Sequence, residues 1–190
     1  MAEAPLVVMT TNYDQGIETA FDEAGCTYHL FVYQAHGEFE GRFVYCTPTR
    51  AVRVVKRPEN LLELGDGQPV IVKLNGGPAP APEVQDSFAV ATRDYYFLAT
   101  RIPQILPACL TPLLETRSLL FLGHGLNEPD VEEIIRYRHR HGGQSWALQY
   151  AADPSRTGPD PTVRQYWEEL GVDLLWGDID AFVGGLETAL

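Results

Sequence analysis

Short apolar runs that end in polar turns recur along the chain and indicate where its strands lie. Residues 6–9, 70–72 and 119–122 are such runs, and each is too short for a typical helix. Continuous apolar runs of this length are typical of strands that are buried on both faces of a parallel sheet. The pattern therefore predicts three buried parallel strands, over residues 6–10, 70–74 and 118–122.

The rest of the chain alternates between helical and extended patterns. Helices are predicted over 14–24, from Thr92 as N-cap through residues 94–98, over 103–115 with Pro103 in the first turn, from Pro129 onwards, over 162–170 and over 178–190. Further extended segments are predicted over 28–33, 42–55, 87–90, 146–150 and 172–175, with a loop or short helix over 57–68 and a loop over 76–82. Strands that alternate with helices predict an α/β, Rossmann-like fold with a mainly parallel sheet and helices on both faces.

Each of the three apolar runs is followed by a polar turn. The turns contain residues 10–14, 73–76 and 122–130, respectively. In an open α/β sheet, ligand groups gather at the carboxyl ends of the strands. We therefore expect these turns to border one crevice, although they lie far apart in the sequence.

The three turns together resemble motifs of the Sir2-like family, the bacterial NAD-consuming relatives of the sirtuins. They read T-T-N-Y-D from Thr10, K-L-N-G from Lys73 and L-G-H-G-L-N-E-P-D from Leu122, whereas the family shows K-L-H-G in the second turn. The resemblance covers the chain from about Leu6 to its C-terminus. It implies a site for NAD or ADP-ribose and predicts one Sir2-like domain over residues 1–190, with residues 25–68 as an extended insertion.

The first turn supplies candidates for the nicotinamide end of NAD. The resemblance implies that Asn12 and Asp14 bind ribose and carboxamide, with Thr11 beside them and Asn12 also close to the chemistry. An amide can donate to and accept from a ribose hydroxyl, and a carboxylate accepts from an amide NH₂. The alternative is structural, with Asn12 in a tight turn and Asp14 capping the next helix.

Asn75 stands where the family has its catalytic histidine. An imidazole exchanges a proton near neutral pH, and an asparagine amide does not, although it can still hydrogen-bond a ribose. The substitution is therefore expected to preserve binding better than chemistry. The alternative is that Asn75 and Gly76 only form a bend.

The third turn is implied to lie near the adenosine ribose, with Gly123, His124, Gly125 and Asn127 as binding candidates. Glycine allows the backbone to approach a ligand closely. An ordinary turn between strand and helix is the alternative. His124 either fills space or takes over the role of the missing histidine.

The family also has an opening strand and a glycine-rich phosphate turn, which should precede Thr10. Only nine residues do so in this sequence. We therefore expect the N-terminal strand-turn-helix unit to be absent and NAD to bind weakly unless a partner supplies a phosphate site.

Net charge and cysteine content limit the binding partners, the cellular location and the metal that we expect. A net charge of −12 argues against nucleic acid and against an anionic membrane surface as partners. Three scattered cysteines favour a cytoplasmic location, and the absence of a C-x-x-C pair in the sequence predicts that zinc is not bound.

Three functions remain compatible with these observations. The first is a degenerate NAD- or ADP-ribose-binding domain that is impaired in glycohydrolase or deacylase chemistry. The second is a non-enzymatic interaction module that self-associates or belongs to a larger antiphage-defence assembly, as the resemblance suggests. The third is an active NADase, completed by a partner chain or by His124.

Overall fold

The structure is a computed structural model that describes residues 5–62, 64, 67–126, 128–150 and 160–189. The chain divides into two compact units, Met1–Thr111 and Pro112–Leu190. We refer to them as unit 1 and unit 2. The predictions of a single domain and of an insertion over residues 25–68 stay predictions.

Unit 1 is built on a five-stranded mixed sheet. Its strands are β1 (Val7–Thr10), β2 (His29–Gln34), β3 (Arg42–Cys46), β4 (Val52–Val54) and β5 (Val70–Lys73), in the spatial order β1-β5-β2-β3-β4. Strand β5 pairs in parallel with β1 on one side and with β2 on the other. The first two predicted strands are thus present and lie side by side. Strand β5 is buried as predicted, whereas β1 is a half-buried edge strand, so the prediction of burial is wrong for β1.

The prediction of a mainly parallel sheet is wrong for the other half of this sheet. Strands β3 and β4 run antiparallel to their neighbours. The connection from β2 to β3 is a short turn, closed by the hydrogen bond from Gly41 N to Gln34 O at 2.8 Å. A parallel pair needs a much longer crossover, so the short turn imposes the antiparallel direction.

The first two residues of the predicted loop after β5 are glycines, and they form a short strand. Strand β6 (Gly76–Gly77) pairs antiparallel with β7 (Ser87–Phe88). Gly76 has φ +81°, and a Cβ there would lie 2.0 Å from the carbonyl oxygen of Ser87. Only glycine fits at this position, because the two backbones approach so closely.

The helices of unit 1 differ from the prediction in their bounds. Helix α1 is Gly16–Glu23, and the 3₁₀ helix Pro58–Asn60 lies in the segment predicted as a loop or short helix. Helix α2 runs over Thr92–Ile105, so the predicted helix start at Pro103 is wrong. Pro103 falls in the last turn of α2, where its missing N–H removes a single helical hydrogen bond.

The N-cap of α2 also differs from the prediction. Ala91 is the N-cap and Thr92 is the first helical residue. The buried carboxylate of Asp94 accepts from Val90 N at 3.1 Å and from Ala91 N at 2.9 Å. An acidic side chain in the first turn therefore does the capping that the sequence assigned to Thr92.

Unit 2 holds a three-stranded parallel sheet. Its strands are β8 (Leu119–Phe121), β9 (Ser145–Gln149) and β10 (Val172–Trp176), in the order β10-β9-β8. Its helices are α3 (Thr111–Thr116), α4 (Pro129–Arg140), α5 (Pro161–Glu169) and α6 (Ile179–Ala189). The alternation of parallel strands and helices predicted for this part of the chain is confirmed.

Both units have an apolar core around their sheets. In unit 1, Leu30, Val32 and Ile71 pack from neighbouring strands. In unit 2, Ile135 of α4 and Trp167 of α5 pack against Ala147 of β9. None of the helices that the structure describes is both long and apolar enough to cross a bilayer.

Candidate functional site

The carboxyl ends of β1 and β5 lie next to each other in unit 1. Thr10 and Lys73 are partners in the parallel register, and Leu74 N donates to Thr10 O at 2.9 Å. The first two predicted turns therefore meet at one sheet edge. Because Thr10 is the last residue of β1, the first turn from here on means residues 11–14.

Asn75 connects the two turns through its side chain. It is 3% exposed, and its Nδ2 donates to the carbonyl oxygen of Thr11 at 3.3 Å. Its Oδ1 is buried and has no hydrogen-bond partner among the residues that the structure describes. A buried acceptor without a donor is costly, which marks this oxygen as a candidate for a ligand donor.

Asn12 and Asp14 are exposed at the same edge. Asn12 N donates to Thr10 Oγ1 at 3.0 Å, and Gly16 N donates to Asp14 Oδ1 at 2.8 Å. Asp14 thus hydrogen-bonds the first residue of α1, but the N-cap of this helix is Gln15, so the alternative in which Asp14 caps it is wrong. The second carboxylate oxygen of Asp14 can accept a further donor.

A buried ion pair beneath the first turn was missed in the sequence. Lys73 is 1% exposed, and its Nζ donates to Glu18 Oε1 at 2.8 Å. The same ammonium donates to the carbonyl oxygens of Asp14 and Tyr13. A lysine that interrupts an apolar strand was the available signal, since lysine is almost never fully buried without a partner.

Tyr13 fastens the outer side of the first turn. Its hydroxyl donates to the carbonyl oxygen of Ala89 and lies 2.9 Å from the hydroxyl of Tyr95. Its ring meets that of Phe88 edge to face, with centroids 5.4 Å apart. The turn is thus held by contacts to β5, to α1 and to the segment before α2.

A small cavity of about 230 Å³ lies beyond the carboxyl end of β2, and Tyr33, Glu40, Arg93, Asp94 and Phe97 contribute to its lining. Burial raises the pKa of Tyr33 to about 12, so its hydroxyl stays protonated. Burial also acts to raise the pKa of Asp94, but the N–H donors of Ala91 and Val90 outweigh it and hold that pKa below its ordinary value. Asp94 therefore stays charged in the fold.

Unit 2 has its own cavity, at the carboxyl edge of its parallel sheet. It has a volume of about 470 Å³ and is lined by residues at or just after the carboxyl ends of all three strands: Gly123, His124, Gly125, Leu148, Gln149, Tyr150, Gly177, Asp178 and Ile179. This is the edge at which ligands bind in open α/β sheets. The predicted turn from Gly123 to Gly125 therefore borders a cavity of ligand size.

The turn itself is fixed by its histidine. His124 Nδ1 accepts from Leu126 N at 2.9 Å, and its Nε2 lies 3.2 Å from Glu128 Oε2. An accepting Nδ1 leaves the proton on Nε2, which then donates to the carboxylate. Both ring nitrogens are thus engaged, while Gly123 at φ +65° gives the turn its shape.

The remaining predictions about the site have mixed outcomes. Asn127 lies outside the described residues. Within the part of the chain that the structure describes, no group of three His, Cys, Asp or Glu side chains could hold a metal ion. Asn12, Asp14 and Asn75 share one edge in unit 1, and Gly123, His124 and Gly125 line one cavity in unit 2. That the two groups border a single crevice stays a prediction.

The family of the chain follows from a match over most of its length. The family model of the SIR2-like domain matches residues 6–175. No curated protein matches the chain significantly. SIR2-like domains typically use NAD, and mixed and parallel sheets interleaved with helices are consistent with their Rossmann-like fold. This chain belongs to the SIR2-like domain family.

Proposed function

We propose that this chain binds NAD or ADP-ribose and cleaves NAD slowly or not at all. The observation that carries the proposal is the state of Asn75, which lies at the end of a central parallel strand. Its Nδ2 is engaged by Thr11, and its buried Oδ1 has no partner among the described residues. Such an oxygen can accept from a ribose hydroxyl.

The amide of Asn75 also limits the cleavage of NAD. Cleavage of the glycosidic bond of NAD needs a hydroxyl or a water that is activated by a base, and an amide does not take up a proton near neutral pH. His124 is a poor replacement, because Leu126 N already donates to its Nδ1 and its Nε2 faces Glu128. Binding without efficient turnover is therefore the expected outcome.

The nicotinamide half of the ligand is assigned to the first turn. Asn12 and Asp14 are exposed beside Thr11, and Asp14 retains one carboxylate oxygen for a carboxamide NH₂. Asn75 Oδ1 has no partner among the described residues and is the acceptor that we propose for a ribose hydroxyl.

The cavity of unit 2, taken by itself, is a second candidate site for a ribose. Gly123 and Gly125 present backbone rather than side chains there, which allows close approach of a ribose. The volume of about 470 Å³ lies within the range of small-molecule sites. Charge supports a compact ligand over a polymer, since a chain of net charge −12 is a poor match for nucleic acid.

Calorimetry with NAD and with ADP-ribose tests the binding. Asn75→Ala is expected to weaken the affinity for both by about tenfold, which is about 1.4 kcal/mol, because one hydrogen bond to the ribose is lost. Asn60→Ala is the matched control, as an exposed asparagine of the same unit, and should bind like the wild type.

Nicotinamide release from NAD, followed on the same samples, tests the chemistry. We expect little or none from the pure chain. No binding of either nucleotide by the wild type would contradict the proposal and favour an interaction module. Turnover that appears only with an added partner chain would favour an NADase that is completed by that partner.

A further inference from the structure

Lys73 holds the first turn from below. It is the last residue of β5, and its Nζ reaches one carboxylate and two backbone carbonyls, those of Glu18, Asp14 and Tyr13. An ammonium group has three N–H donors, so these acceptors use its whole capacity. The lysine therefore has no donor left for a ligand.

Lys73 and Glu18 form an ion pair inside the fold, with Nζ and Oε1 2.8 Å apart. Both side chains are more than nine-tenths buried. Removal of one partner would leave the other as an uncompensated buried charge, which is strongly destabilising. Removal of both by apolar residues of similar size is often tolerated.

Lys73 and Asn75 donate to three backbone carbonyls of the same turn. Asn75 donates to Thr11 O, and Lys73 donates to Tyr13 O and Asp14 O. These contacts leave the side chains of Asn12 and Asp14 on the exposed side. One strand end thus fixes the backbone of the turn and leaves its polar side chains available.

We propose that Lys73, charge-paired with Glu18, is a positioning residue that presents Asn12 and Asp14 to the nicotinamide end of NAD. This inference rests on the proposed function. Preorganisation of this kind increases affinity by reducing the ordering that binding requires. Because ADP-ribose lacks the nicotinamide, the effect of Lys73 falls on NAD more than on ADP-ribose.

The chain offers a matched pair of lysine variants. Lys73→Met removes the ammonium and keeps the length of the side chain, and Lys56→Met does the same at an exposed position of unit 1. The double variant Lys73→Met with Glu18→Leu removes both buried charges. We expect it to fold even if the single variant does not, and it still lacks the donors to Tyr13 and Asp14.

The first measurement is the ratio of the dissociation constants of NAD and ADP-ribose. In the double variant we expect NAD to bind about tenfold more weakly and ADP-ribose less than about threefold more weakly. Lys56→Met should change neither constant. Equal weakening of both ligands would mean a general structural role and would overturn the proposal.

The second measurement, amide hydrogen exchange, needs no ligand. Asn12 N and Gly16 N are hydrogen-bonded to Thr10 and Asp14, and both should exchange about tenfold faster in the double variant. Amides that pair β2 with β3 serve as an internal reference and should not change.

Unchanged exchange at Asn12 and Gly16 would overturn the role of Lys73 in the turn. If the wild type binds neither nucleotide, the proposed function fails, and the exchange measurement alone decides whether Lys73 fixes the turn. The two failures are therefore distinguishable.

Discussion

The two polar strand-end regions of this protein are built in different ways. The edge of unit 1 relies on buried side chains, with Asn75, Lys73 and Glu18 tied to the backbone of the first turn. The edge of unit 2 relies on backbone and open volume, with Gly123 and Gly125 beside a cavity of about 470 Å³. The first arrangement can control chemistry, whereas the second can accept a bulky group.

This difference predicts where substitutions act. In unit 1, a change of one side chain alters proton transfer or breaks the hydrogen bonds that tie Asn75, Lys73 and Glu18 to the first turn. In unit 2, a change that fills space is expected to have the larger effect, because glycines border the open volume of the cavity. The following predictions test this contrast from the largest expected effect to the smallest.

Asn75→His should raise the rate of nicotinamide release from NAD by about 10²–10⁴-fold, because it restores a group that can take up a proton at the ribose. The rate is measured with saturating NAD by chromatography of the released nicotinamide. Asn60→His introduces the same imidazole at an exposed position of unit 1 and should have no effect. No gain with Asn75→His would mean that binding, rather than the base, limits the reaction.

Gly76→Ala should lower the free energy of unfolding by about 3 kcal/mol or more, since the new Cβ would lie 2.0 Å from Ser87 O and φ is +81°. Urea denaturation measures the change. Gly25→Ala is the control at a similar φ of +66° with nothing within 4 Å of the Cβ, and it should cost only about 1 kcal/mol. Equal costs would show that the β6–β7 approach is not tight.

Gly125→Leu should weaken both NAD and ADP-ribose by about tenfold, because it fills the cavity of unit 2, which we propose as a ribose site. Gly184→Leu is the control within the same unit, at an exposed position of α6 with nothing within 4 Å of a Cβ. Unchanged affinity for both nucleotides in Gly125→Leu would remove this cavity from the site.

Asp94→Asn should lower the free energy of unfolding by about 1 kcal/mol at pH 7, because the charged carboxylate accepts from Val90 N and Ala91 N at the start of α2. The pKa of Asp94 is lowered in the folded state. Its contribution is therefore present above the unfolded pKa of about 3.9 and is lost as the pH falls through the folded pKa.

Denaturation at pH 7 and at successively lower pH checks this sign. The difference between wild type and Asp94→Asn should shrink below about pH 4. A difference that stays constant or grows on acidification would contradict the assignment of Asp94 as a charged cap.

Much of the secondary structure follows from apolar periodicity. The runs at residues 6–9, 70–72 and 119–122 became β1, β5 and β8, with ends displaced by at most one residue. The errors fall where local signals compete. Pro103 suggested a helix start, but α2 continues through it to Ile105, since a proline in the last turn removes only one hydrogen bond.

The turn residues were predictable in kind rather than in arrangement. Asn12, Asp14 and Asn75 were singled out by position after apolar runs, and the parallel pairing of β1 with β5 brings their turns together. Glu18 was not singled out, because a glutamate in an amphipathic helix is usually solvent-exposed. Its pairing with Lys73 spans 55 positions and has no local signature.

The sequence by itself determined the strand and helix pattern of this protein, the SIR2-like motifs in their order and the asparagine at position 75. Only the tertiary structure decided that Lys73 is buried against Glu18, that Asn75 Oδ1 has no partner among the described residues, and that both nitrogens of His124 are engaged. The reason is that periodicity reports which face of an element is buried, whereas hydrogen bonds and ion pairs depend on distances between segments that are remote in the chain.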